Sequence, residues 1–204
     1  MKKTALLFFT LWLTAALSVT AQSRAEFLNG KIGITFSSFG TNDVARLRPV
    51  TDDTGYHSDK FYTLGFTYLY QLNHTFEVET GIEYSKHQIL ISVIMPPPTV
   101  HSPYSASFSL INIPVTLRAN FLNYFFANGG IFIDADAGTS HPIDSQTGIG
   151  ALLGVGMKYD FANGLSAFVN PYSKMHALLS FSSNQYPQKV IESGIRLGVM
   201  MKLN

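Results

Sequence analysis

Apolar and polar side chains alternate along Thr75–Ser85, where Phe76, Val78, Thr80, Ile82 and Tyr84 share one face and Glu77, Glu79, Gly81, Glu83 and Ser85 the other. A period of two means an extended strand whose two sides meet different surroundings. The pattern returns at the C-terminus, with Ile195, Leu197, Val199, Met201 and Leu203 set against Gly194, Arg196, Gly198, Met200 and Lys202. Six more segments read the same way: Glu26–Phe39, Lys60–Leu72, Phe108–Asn120, Tyr124–Ala137, Thr147–Phe161 and Leu165–Leu179. With Thr75–Ser85 and Ile191–Leu203 they make eight strand candidates. In the fourth, Ile111, Ile113, Val115 and Leu117 oppose Asn112, Pro114, Thr116 and Arg118. The seventh is the least regular, and Pro171 marks a bulge or edge disturbance in it.

The connections form a second alternation. Gly40–Ser58, Val93–Ser105, Gly138–Gln146 and Ser180–Lys189 are long, whereas the links at Asn73-His74, Phe121–Asn123 and Ala162–Gly164 are tight. An even number of antiparallel strands, with long loops at one end and short turns at the other, predicts an all-β, eight-stranded antiparallel transmembrane β-barrel in the outer membrane. Its N-terminus would lie in the periplasm and its long loops outside the cell. A secreted soluble barrel shows the same alternation with the apolar face turned inward. Against it stand aromatic residues near strand ends (Tyr62, Phe76, Tyr84, Phe125, Tyr159, Phe161), glycines gathered on the polar face, and charges of both signs at mid-strand.

The N-terminus refines this. Lys2 and Lys3 precede an apolar run from Ala5 to Leu17, and Val19-Thr20-Ala21 offers small residues to a signal peptidase. Residues 1–21 are therefore expected to be a signal peptide and residues 22–204 the barrel domain. Loss of Lys2 and Lys3 with the leader turns 14 Lys+Arg and 13 Asp+Glu into 12 against 13, a net charge of −1 that gives no electrostatic case for nucleic acid. The sequence contains no cysteine, which excludes disulfides, thiolate metal sites and lipidation of an N-terminal cysteine.

The polar face carries Lys31, Arg118, Lys158, Lys174, Arg196 and Lys202 against Glu77, Glu79, Glu83, Asp134, Asp136, Asp160 and Glu192. An eight-stranded barrel is only wide enough for side chains to fill, so these groups are expected to pair in a lumen ion network beside small neighbours. That favours a plugged interior over an aqueous pore. The competing functional reading is an ion or proton path along Glu77, Glu79 and Glu83.

The fourth-strand stretch Leu110-Ile111-Asn112-Ile113-Pro114-Val115-Thr116-Leu117-Arg118, the closing Gly194-Ile195-Arg196-Leu197-Gly198-Val199 and the leader ending near Ala21-Gln22 resemble the PorT-like outer-membrane β-barrel proteins of Bacteroidota. Pro114 is the best single marker, because a mid-strand proline removes a ladder donor. The resemblance implies an integral envelope protein, and PorT itself is associated with type IX protein secretion.

Chemistry is sparse. His57, His87, His101, His141 and His176 lie in or near the long-loop end, and His57-Ser58, His101-Ser102 and Ser140-His141 put serine beside histidine. With Asp59 or Asp144 these could form a rim Ser/His/acid constellation, or a histidine metal cluster, but no fixed motif such as H-E-x-x-H supports either. The expectation is a non-enzymatic envelope or surface-interaction barrel without cofactor or metal. It would contact outer-membrane lipid, with protein partners docking on the long loops. The alternatives are a type IX secretion accessory and a surface-rim lipid-modifying enzyme or metal binder.

Overall fold

The computed structural model describes residues 30–46, 54–93, 104–138, 143–181 and 188–203. The expected leader, residues 1–21, lies outside the described residues. Eight strands follow one another: β1 (Gly30–Arg46), β2 (Thr54–Gln71), β3 (Phe76–Val93), β4 (Tyr104–Phe121), β5 (Phe125–Asp136), β6 (Gly148–Asp160), β7 (Leu165–Ser180) and β8 (Gln188–Lys202). Each pairs antiparallel with its sequence neighbour, and β1 pairs with β8 from Lys31↔Lys202 to Arg46↔Gln188, so the sheet closes on itself. Closure leaves no edge strand with unpaired backbone, as hydrocarbon requires of a spanning sheet.

The three short turns are built by local chemistry. Asn73 Oδ1 accepts the amide hydrogens of Thr75 and Phe76 at 2.8 Å each. Leu122 and Asn123 both take positive φ, 50° and 61°, and reverse the chain between β4 and β5. Asn163 Oδ1 accepts from the Leu165 amide and Gly164 takes φ 82° between β6 and β7. The mid-strand proline keeps the β4–β5 ladder, Pro114 standing opposite Phe132, while the β3–β4 pairing resumes in the same register on either side of it, Thr80↔Val115 and Glu83↔Asn112.

The lower part of the barrel is inside-out. Ile82, Ile113, Val115, Ile131, Ile133, Val155 and Val199 are exposed on the outer face, whereas Glu79, Asn112, Thr116, Arg118 and Arg196 are buried in the lumen. An apolar band of this extent is stable only against lipid. Near the short turns it is bounded by a belt of Phe76, Phe121, Tyr124, Phe125, Tyr159 and Phe161, in which Tyr159 lies 4.8 Å from Phe161 and 6.3 Å from Tyr124 between ring centres. Tyr62 and Tyr84 mark the opposite border. Between Phe76 and Tyr84 strand β3 advances about 26 Å, roughly 20 Å along the axis at a tilt of about 40°.

Strands β1 to β4 run longer than the sequence pattern predicts. At 17 or 18 residues each, they exceed the roughly 9–11 needed to span the hydrocarbon; they absorb 40–46, 54–58, 93 and 104–105 from the connections expected at Gly40–Ser58 and Val93–Ser105, and β3 also takes in 86–92, which the expected strand Thr75–Ser85 left out. The physical reason is an inversion of the alternation. Above Tyr84, β3 turns Lys86 outward and His87, Ile89 and Ile91 inward; above Ile111, β4 turns Ser105 and Ser107 outward and Phe108 and Leu110 inward. Ile89, Ile91, Phe108, Leu110, Ile143 and Val190 then pack into an apolar core inside the barrel, as in a soluble β-protein. The chain is thus a membrane barrel continued by a water-facing neck on the same strands.

Three irregularities sit in the neck, one of them a register shift between Ser58 and Lys60 in the β2–β3 ladder. Between β6 and β7, Ile149↔Leu179 is followed by Ala151↔Met175, so β7 carries extra residues there. Ala177 takes φ 46°, uncommon for a residue with a Cβ, and both His176 and Ala177 turn inward. Lys189 Nζ donates to the Ala177 and Leu178 carbonyl oxygens freed by the bulge. On β1, Phe39 takes φ 58° where the register against β8 shifts between Ser38 and Thr41. The irregularity expected at Pro171 falls a turn of chain later, since Pro171 itself pairs with Ile195 in register.

Candidate functional site in the lumen

The lumen is filled in layers, because the inward positions of neighbouring strands lie side by side. At the short-turn mouth Lys31 Nζ donates to Asp160 at 2.5 Å and to Ser166 Oγ at 2.9 Å, and Lys158 lies 3.7 Å from Glu77. A cavity of about 340 Å³ opens there, lined by Lys31, Leu69, Gln71, Glu77, Asp160, Ser166 and Lys202 among others. It ends against the next layer, Leu69, Phe126, Phe168 and Met200.

Glycines face these rings. A Cβ on Gly156 would stand 2.4 Å from Phe126 Cζ, and one on Gly198 2.2 Å from Phe168 Cε1, in the cross-strand pairs Phe126↔Gly156 and Phe168↔Gly198. Each ring therefore lies flat over a bare backbone.

Above the rings lies the ionic layer. Glu79 receives Arg118 at 2.5 Å on one oxygen and Arg196 at 2.8 Å on the other. Arg196 also approaches Glu83 at 3.6 Å and donates to Asn170 Oδ1 at 3.1 Å. Lys174 donates to Glu83 at 2.6 Å. The Arg118 guanidinium stacks 4.2 Å above the Phe126 ring centre and 4.9 Å from that of Phe168. All five side chains are almost wholly buried, so their charges are balanced by one another and by ring faces rather than by water.

A fourth layer joins the ionic layer to the neck. Asp134 accepts from Asn112 and lies 3.1 Å from His176 Nδ1, and Ser85 donates to Asn112 at 2.7 Å. Tyr172 donates its hydroxyl hydrogen to Glu192, whose other oxygen faces His87 at 3.4 Å and His176 at 3.7 Å.

Of the thirteen charged residues expected in the lumen, the structure brings Lys31 and Asp160, Lys158 and Glu77, and Glu79, Glu83, Arg118, Lys174, Arg196 and Glu192 into ion pairs, and sets Asp134 against a histidine. Asp136 and Lys202 depart from that scheme. Asp136, at the end of β5, accepts from Ser145 Oγ at 2.5 Å, Thr147 Oγ1 at 3.1 Å and the Gln146 amide at 3.3 Å, so it anchors the β5–β6 connection where the barrel rim needs an acceptor. Lys202 is exposed at the opposite mouth, where it lines the cavity with Lys31, Glu77 and Asp160. Lys189, absent from the expected set, is the cation that satisfies the β7 bulge.

The histidines require correction. His87 and His176 are not at a loop rim: both are fully buried in the lumen. His101 and His141 lie outside the described residues, as does the side chain of His57. Strand parity held the missing signal, because His87 shares its face with Glu79, Glu83 and Ser85, and His176 with Asn170 and Lys174.

A closed antiparallel barrel, apolar where it meets lipid and polar within, defines an integral outer-membrane protein. In agreement, residues 9–186 match the family described as outer membrane protein beta-barrel domain, and the chain belongs to that family. Its place is the outer membrane, and its outer band contacts membrane lipid. Solved structures to which the chain is similar include Ail, the attachment invasion locus protein of Yersinia pestis, at 14% identity over 85% of this chain and 98% of that one, TM-score 0.42. OprG of Pseudomonas aeruginosa is 12% identical over 84% of this chain and 91% of its own, TM-score 0.41. AlkL, solved by solid-state NMR in lipid bilayers, is 13% identical over 83% and 87%, TM-score 0.37. No curated protein matches the sequence.

Proposed function

We propose that this outer-membrane barrel is a non-catalytic envelope component that works through the surface its long-connection end presents, with a lumen that conducts nothing. The observation that carries this reading is the stack of filled layers: a ring layer, a buried Arg–Glu–Lys layer and an apolar neck core succeed one another along the axis. The lipid face is generic and three short turns leave little other surface, so recognition falls to the neck and its connections. A secretion-accessory role of the PorT kind is the second reading, supported by the resemblance of Leu110–Arg118 and Gly194–Val199 to that family of Bacteroidota.

Planar-bilayer recording of the purified barrel tests the sealed lumen, and reproducible single-channel conductance would refute it. Replacing residues 47–53 and 94–103 with short turns should preserve insertion and the gel shift between unheated and boiled protein, since shortening a loop changes closure entropy little. Surface or partner phenotypes should be lost. Under the secretion reading, deleting the gene abolishes export of type IX cargo; under the envelope reading export continues.

A further inference from the structure

We infer that His87, His176 and Glu192 form a buried binding site for a zinc-class divalent metal ion, a staple joining β3, β7 and β8 where the barrel leaves the membrane. One ligand atom from each lies within 4.8 Å of the others, and all three side chains are fully buried. Neither ring nitrogen of His87, nor His176 Nε2, nor Glu192 Oε2 has a hydrogen-bond partner. Buried polar atoms that converge without hydrogen bonds are costly, and a cation held by one nitrogen of each histidine and by the Glu192 oxygen reduces the cost.

The surroundings hold the ligands as metal sites hold theirs. Asp134 lies 3.1 Å from His176 Nδ1, the carboxylate–histidine arrangement that fixes the tautomer and leaves Nε2 to coordinate. His87 is sandwiched between Phe61 and Phe108, at ring-centre distances of 6.0 and 4.9 Å, which fixes its plane. Tyr172 occupies the far oxygen of Glu192, so the near one faces the histidines. With neutral imidazoles the two carboxylates of the group, Asp134 and Glu192, have one ammonium beside them, Lys174, which lies 3.9 Å from Glu192 and is shared with Glu83 at 2.6 Å. The group is left with an excess of negative charge that a bound cation offsets.

Geometry agrees with that choice. Bonds of about 2.0–2.1 Å in a tetrahedron require ligand atoms about 3.3–3.4 Å apart. The two histidine-to-glutamate separations are 3.4 and 3.7 Å, and all three ligand atoms lie within 4.8 Å of one another. Nitrogen and oxygen donors of this kind suit zinc and its neighbours in the first transition row. His176 takes the inward parity of Asn170, Tyr172 and Lys174, and the bulge follows immediately at Ala177. Three protein ligands leave the fourth tetrahedral position to a water molecule.

The test is refolding of the mature barrel in detergent with Co2+ or Zn2+, followed by desalting and metal analysis. One equivalent retained, with visible tetrahedral Co2+ bands, is the expected result. Asp134→Asn should lower affinity about 10–100-fold while the barrel still shows its heat shift, and Glu192→Gln should abolish the bands. A folded wild-type barrel that retains no cobalt overturns the inference, as does equal cobalt retention by Glu192→Gln. Should either variant fail to fold, the wild-type measurement still decides.

Discussion

Glu79→Gln isolates the ionic layer with little change of shape. The carboxylate is the one acidic partner of Arg118 among the described residues, at 2.5 Å, whereas Arg196 keeps Glu83 at 3.6 Å and Asn170 at 3.1 Å. Neutralising Glu79 therefore leaves the Arg118 guanidinium charged and nearly water-free, with only the Phe126 and Phe168 rings against it. Stripping one partner from a buried pair costs about 3–5 kcal/mol, a large share of the roughly 5–15 kcal/mol that holds a domain folded. Ring-face contacts are worth only about 1–2 kcal/mol and do not replace the carboxylate. Urea titration in detergent, read as the fraction of heat-shifted band on an unheated gel, should show the midpoint falling accordingly. Arg118→Met combined with Glu79→Gln should recover about 0.5–3 kcal/mol relative to the sum of the single changes, because the stranded charge is gone. A loss below about 1 kcal/mol for Glu79→Gln, or strict additivity in the double variant, would refute the view that Arg118 depends on Glu79.

Gly198→Val should destabilise the barrel by about 1–3 kcal/mol through overpacking against Phe168, and Phe168→Leu in the same chain should return part of the loss. A harmless single variant would show that the ring is free to move. The sole tryptophan is Trp12, inside the proposed leader, so protein purified from the outer membrane should lack tryptophan fluorescence. Emission characteristic of tryptophan would show that residues 1–21 are retained.

Alternation alone made the membrane part of the fold legible, because from Phe76 to Tyr84 and from Ile111 to Leu117 lipid and lumen impose opposite polarity on neighbouring residues. The neck was illegible for the same reason. At Lys86 and Leu110 the apolar residues cross to the other face, and a pattern read for one phase breaks there, so strand becomes loop. The same break hid the histidines, since a strand taken to end at Ser85 leaves His87 in a connection. Parity within the longer strand would have placed it beside Glu83. The rings of Phe126 and Phe168 were hidden for a different reason: a lumen read as charged gives no place to aromatics, and only cross-strand register shows that each lies over a glycine. Asp136 and Lys202 share the parity of the inward charges, but they stand at the two rims, where strand ends and solvent offer other partners.

The phase reversal along β3 and β4 also fixes how high the protein rides. Sinking the barrel by two residues per strand would draw Lys86 and Ser109 toward the acyl chains. Lysine costs about 2–4 kcal/mol at the midplane and about 0–1 near the interface, so the penalty grows with depth. Raising it by the same step would lift Tyr84 and Ile111 into water and leave the belt of Phe76, Phe125 and Tyr159 in the acyl region, losing about 25 cal/mol for each Å² of apolar surface wetted. Either displacement meets a restoring force, to which residues on β3, β4, β5 and β6 contribute. The neck is thereby held at a set elevation above the headgroups, so whatever it meets is met at a distance from the cell surface written into the chain as the position of one change of phase.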